Sequence, residues 1–209
     1  MLKRMAGSSE GTMMKLYDDV DHEIIYYHKH DGHVFAFHFS MDNQPDLTSE
    51  DVFFSKYTFD KAGRLSSLAD LPAAVLYNKF GNIIAKEWCQ GGVLHREDGP
   101  AKEHFVYHQG HLGPVSKRRF WYVSGVLHRV DGPAVEGVLT SGNLVERWYV
   151  KGELHRDGGL PARVKRTHDG LVALQESWFV NGRPFRDSGP VEITRNYDNE
   201  IICSKWSTV

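Results

Sequence analysis

Apolar and polar residues alternate with a period of two along most of this chain, and glycine, asparagine, aspartate or proline interrupts each run. In Leu144, Glu146, Trp148, Val150 and again in Val172, Leu174, Glu176, Trp178, Val180, the set on one face is mainly apolar. That set predicts an inner face, with Arg147 and Tyr149, or Phe120 and Tyr122, turned the other way. Ile24 to Phe39 reads as a hairpin about His30-Asp31-Gly32-His33, with Phe35, Phe37 and Phe39 on one face. Met41 to Glu50, with Pro45, reads as a polar loop, and Val52 to Phe59 as a strand. No helix of ordinary length has an obvious place; at most Ser49 to Ser55 or Leu65 to Leu71 form a turn or two. The expectation is an all-β, antiparallel β-hairpin array.

One phrase recurs. Trp121 to Ala134 reads Trp-Tyr-Val-Ser-Gly-Val-Leu-His-Arg-Val-Asp-Gly-Pro-Ala, and Trp88 to Ala101 nearly repeats it. Trp148 to Ala162 repeats it with one residue inserted, and Trp178 to Val191 is a looser copy. Phe59 opens a degenerate copy in the inserted register, with Gly63, Leu65, Asp70, Pro72 and Ala73 in place. The tryptophans at 88, 121, 148, 178 and 206 lie 33, 27, 30 and 28 residues apart, a period that marks stacked units burying apolar surface against their neighbours. Gly92, Gly125, Gly152 and Gly182 each follow a Trp by four, where a turn needs positive φ. Proline lacks an N–H and so opens the following strand. Each unit is expected to hold two strands and two turns.

The aromatic–Gly–His–Gly rhythm on hairpin units resembles MORN-type repeats. The wording Trp-Tyr-x-x-Gly-x-Leu-His-Arg-x-Asp-Gly-Pro-Ala looks like a longer variant associated with large DNA viruses, bacteriophages and some bacteria. The resemblance covers about residues 57–209. It implies an elongated antiparallel array used for interaction, and a viral setting. The longer period, the Arg after the His and the Pro depart from the usual MORN unit, so the membrane roles suggested for that family are not carried across. The expected organisation is a flexible N-terminus (1–20), a β-hairpin region (21–56) and the array (57–209), with units near 57–87, 88–120, 121–147, 148–177 and 178–209.

Composition adjusts this picture little. The 209 residues are 41% hydrophobic and 25% charged, with a net charge of −2, which calls for neither nucleic acid nor an anionic membrane as partner. Residues 1–80 carry 8 basic against 12 acidic residues, and the remainder 17 against 15. Lys117-Arg118-Arg119 and Arg163 to Arg166 are the basic spots, expected as solvated charge on strand edges that blocks strand addition. Two cysteines, Cys89 and Cys203, make no disulfide framework and suit a reducing cytoplasm, the host's if the origin is viral. There is no apolar run of transmembrane length and no apolar signal core near Met1.

Candidate chemistry follows the columns of the phrase. They are His95, His128 and His155, with Phe185 fourth; Arg96, Arg129, Arg156 and Arg186; and Asp98, Asp131, Asp157 and Asp187. A catalytic site needs one base in one environment, so recurrence favours structure. In that account Asp accepts from turn amides and the Arg fork while imidazole donates to a carbonyl. The rival account is a row of Arg and His holding phosphates. Tyr122, Tyr149 and Phe179 form an aromatic column that either packs or binds. His22, His28, His30, His33 and His38, and separately His104, His108 and His111, could approach one another, but neither set has metal-grade spacing.

The expected function is non-enzymatic binding of a protein partner, in a viral setting a host defence protein, with self-association as a further possibility. No cofactor, metal or membrane partner is expected. The binding candidates are His95, Arg96, His128, Arg129, His155, Arg156, Arg186, Tyr122, Tyr149 and Phe179. The alternatives are a sponge for a nucleotide or other phosphorylated small ligand, and a histidine-dependent metalloenzyme.

Overall fold

The computed structural model describes residues 14–17, 23–30, 33–40, 54–108 and 111–207, with side chains described from residue 54 onward. The Asp31-Gly32 turn, the 41–50 loop and the side chains of the N-terminal histidines lie outside the described residues. Fourteen strands form one antiparallel sheet in which every strand pairs with its neighbours in chain order, without a crossover. Met14–Tyr17, within the segment expected to be a loose end, pairs with Glu23–His30, which pairs with His33–Ser40. The sheet then runs through Phe54–Phe59, Ala74–Tyr77, Ile83–Glu87, Lys102–Val106, Ser116–Phe120 and Val135–Val138. It ends with Leu144–Arg147, Arg163–Arg166, Ala173–Ser177, Glu192–Arg195 and Ile201–Lys205. Among the described residues there is no helix, and 65–71 holds an isolated bridge, Leu68 to Leu71, in place of a helical turn.

Each unit proves richer than two strands. The run 144–150 is not one strand: the chain leaves the large sheet at Trp148, and Tyr149–Val150 pairs with Glu153–Leu154 in a separate two-stranded hairpin. The same departure occurs at Trp88, Trp121 and Trp178. The cause is a backbone clamp. The N–H of Trp148 still donates to Ala162 O (2.8 Å), in register with the Arg147–Arg163 pair of the large sheet, but its carbonyl accepts from His155 N–H (3.1 Å), in register with the hairpin, so the chain changes partner at this residue. Trp121 is held in the same way by Ala134 and His128. The hairpin turns have positive φ at both central residues: Ser124 (50°) with Gly125 (79°), Lys151 (50°) with Gly152 (85°), Asn181 (48°) with Gly182 (75°). That is the turn whose twist suits a two-residue hairpin loop.

The hairpins stack into a column beside the sheet. Gly125 N–H donates to Leu94 O, Gly152 to Leu127 O and Gly182 to Leu154 O, at 2.8 to 2.9 Å. Gly152 is required by closeness as well as conformation, because a Cβ there would sit 2.9 Å from Val126 Cγ1. Burial concentrates at the junctions. Ala73, Ala101, Ala134 and Ala162, the residues after each Pro, are fully buried. Ile84, Val164, Leu174 and Ile193 fill the sheet core, each contributing about 1.5–3 kcal/mol of hydrophobic stabilisation.

The two basic runs do not lie at edges. Ser116–Phe120 pairs with a strand on each side, as does Arg163–Arg166. On one face, charges opposite each other offset this: Lys117 lies 3.0 Å from Glu103, and Arg119 lies 3.3 Å from Glu136.

Candidate binding groove

The Arg column is engaged within the units. Each guanidinium lies flat over the tryptophan that opens its own copy: Arg96 over Trp88 (4.2 Å), Arg129 over Trp121 (4.0 Å), Arg156 over Trp148 (3.9 Å), Arg186 over Trp178 (3.8 Å). Arg129, Arg156 and Arg186 also donate to the carbonyls of Pro133, Pro161 and Pro190, each at 3.2 Å. The expected Arg–Asp fork is not what forms. Asp98, Asp131, Asp157 and Asp187 are exposed, and only the tryptophan face brings each Arg a partner common to all four copies. The Asp-Gly-Pro glycine permits this fold-back: a Cβ on Gly132 would meet the Arg129 guanidinium carbon at 2.7 Å.

The His column joins units. Nδ1 of His95 accepts the Ser124 N–H (3.1 Å), that of His128 the Lys151 N–H (3.3 Å), and that of His155 the Asn181 N–H (3.2 Å). Sequence reasoning assigned imidazole a donor role; at Nδ1 it accepts instead. A neutral ring accepting there carries its proton on Nε2, which in His155 faces Asp157 Oδ1 at 3.0 Å.

Between the Trp121 and Trp148 hairpins lies an open groove of about 390 Å³. It gathers five of the predicted residues: His128, Arg129, Tyr149, His155 and Arg156. His95, Arg96, Phe179 and Arg186 belong to other units, Tyr122 to the Trp121 unit, and none of them lines the groove. Two residues that sequence reasoning missed form its apolar wall, Val130 (78% exposed) and Leu160 (50% exposed). A signal existed for Val130: the residue directly after the column Arg is acidic in the other copies, Glu97, Asp157 and Asp187. Leu160 follows the insertion in the third copy. Burial holds Arg156 below the usual arginine range, Glu146 opposes this and Arg166 adds to it, and among the described residues no carboxylate lies within ion-pair distance of it. Arg129 by contrast reaches Glu136 at 3.4 Å. The Trp148 Nε1–H is buried at the groove without an acceptor.

Tyr122 and Tyr149 hold equivalent positions in successive hairpins. Burial raises the Tyr122 hydroxyl above its usual range, Lys102 opposes this, and Tyr149 and Glu87 add to it. His104 turns toward Arg118 (Nδ1 to Nη2, 3.4 Å), while the His108 and His111 rings meet edge-on at 6.3 Å. Among the described residues no three His, Cys, Asp or Glu gather as metal ligands. Nor is any helix there long and apolar enough to cross a membrane. No family model matches the chain, and no curated protein matches it in sequence.

Proposed function

We propose that the chain is a non-enzymatic binding scaffold and that a protein partner docks along the hairpin column, centred on the groove between the Trp121 and Trp148 hairpins. The supporting observation is the pair Val130 and Leu160, large apolar side chains left exposed beside a concave surface. The Arg and His columns around them are committed to tryptophan faces and turn amides, so they shape the surface and hold it rigid. In the viral setting that the sequence resemblance implies, the partner is a host defence protein.

The test is affinity capture of the tagged chain from its native host, with the parent compared to Val130→Asp/Leu160→Asp. A stoichiometric protein held by the parent and lost from the folded double variant is the expected result. Equal retention by both would remove the groove from consideration. One observation favours a second reading, a sponge for a phosphorylated small ligand: Arg156 enters the groove with no carboxylate partner. A phosphorylated compound co-purifying without any protein would establish that reading over the first.

A further inference from the structure

The sheet carries a second surface that the groove does not include. Arg147 lies directly opposite Arg163 on the adjacent strand. Lys165, two residues on, shares their face, and its row runs through Val145 and Gly137 to Arg118. Adjacent partners stand about 4.5–5.5 Å apart at Cα, and residues two apart along a strand about 6.6 Å. The block therefore presents four cations across four consecutive strands. Gly137 leaves the row bare beside Arg118; a Cβ there would fall 2.2 Å from Lys117 O.

These charges lack what the opposite face has. There, Glu103 and Glu136 neutralise Lys117 and Arg119. Here the flanking carboxylates are already taken, Glu87 by Lys102 at 2.6 Å and Glu192 by Lys205 at 3.2 Å. No carboxylate among the described residues pairs with Arg118, Arg147, Arg163 or Lys165, and the Nε–H of Arg118 is buried without an acceptor. Like charges placed directly opposite across strands are destabilising. They also cannot be edge guards, because all four stand on strands paired on both sides.

We propose that this cationic block docks an acidic, extended segment of a protein partner. The inference rests on the scaffold reading but uses a different face. Carboxylates on alternate residues of an extended chain recur at the spacing of Arg163 and Lys165. Single-stranded nucleic acid is the weaker fit. Its binding relies on rings that stack successive bases, whereas Val145 and Gly137 stand between these cations and Arg118 already lies toward Phe120 (5.9 Å).

The test is fluorescence polarisation with the full chain and two probes of equal length, an alternating Glu-Ser peptide and a thymidine oligonucleotide. Arg147→Gln/Arg163→Gln is compared with the parent and with Lys61→Gln, which removes an exposed lysine outside the block. Peptide affinity is expected to fall roughly tenfold in the double variant, to be unchanged in Lys61→Gln, and to weaken with salt. Thermal melts of the double variant should match or exceed the parent, since a repulsion is removed; Lys165→Gln gives an independent reading if they do not. Absent peptide binding, equal binding by the double variant, or tighter binding of the oligonucleotide would each overturn the proposal. Because the probe is supplied, failure to capture a protein through the groove leaves this result readable, and peptide binding without such capture would fail the groove alone.

Discussion

The imidazole Nδ1 of His155 accepts the main-chain N–H of Asn181, a residue in another hairpin held at φ 48°, across 3.2 Å. His95 and His128 make the same joint to Ser124 and Lys151. In the fourth copy, after which no hairpin stacks among the described residues, the position is Phe185. The histidine is thus a joint between successive hairpins. His128→Leu should lower stability by about 1 kcal/mol, the net worth of its hydrogen bond to the exposed Lys151 amide. His128→Asn, whose side-chain oxygen can occupy the place of Nδ1, should recover part of that loss. Urea unfolding of the two variants reads the difference, and equal losses would remove the joint from the account.

A second relationship links the inserted residue to the following tryptophan. The Trp178 indole N–H donates to Gly159 O at 2.9 Å, and Trp88 donates to Asp70 O at 2.9 Å. Gly159 and Asp70 hold the same place in the two copies that carry the insertion. Trp148 follows a copy without it, and its buried Nε1–H has no acceptor. Trp178→Phe should therefore cost about 1 kcal/mol more than Trp148→Phe, since only the former gives up a hydrogen bond. Thermal melts of both variants decide it, and the reverse order would sink the argument.

Much of the fold was legible because its signals are local. Strand alternation, the glycine four residues after each tryptophan and the proline before each strand report backbone needs that the sequence states directly. The short hairpin inside each unit is not legible, since Trp148 sits in an unbroken alternating run and only the turn of its carbonyl to the His155 N–H takes the chain from the ladder into the hairpin. The Arg column was read as a column, yet its partner was misassigned. Asp157 is adjacent in sequence, but Trp148 is adjacent in space. The groove was half legible: His128 and Arg156 stood out by recurrence, whereas Val130 matters by breaking the recurrence.

Cys89 offers a pH-dependent handle. Burial, with Glu87 adding to it and Lys102 opposing it, pushes its thiol from 9.0 up to about 11. The folded chain thus favours the protonated form more than the unfolded chain does. The stability this confers is complete below 9.0 and is lost as pH rises toward about 11. Melts across that window should fall less steeply for Cys89→Ala than for the parent. Under native conditions iodoacetamide should label the exposed Cys203 and spare the buried Cys89. Labelling of both at equal rates would contradict the burial.

Arg156 separates structural work from binding work. It stacks on Trp148, donates to Pro161 O and has no carboxylate within ion-pair distance, Glu146 acting on it only from further away. Arg156→Met keeps the aliphatic stem over the ring and removes the fork, so the expected loss is the stacking and one hydrogen bond, about 1–2 kcal/mol. Arg156→Lys should lose nearly as much, because an ammonium has no plane to lay on the indole. Arg129→Met should behave differently with salt. It breaks a direct contact to Glu136, which Arg119 still holds, so its effect should shrink more with rising ionic strength than that of Arg156→Met, whose nearest charges, Glu146 and Arg166, lie beyond contact. If Arg156→Met is as stable as the parent at every salt concentration, the stack contributes nothing to the fold. The recurring Arg column would then have to be explained by what the groove binds.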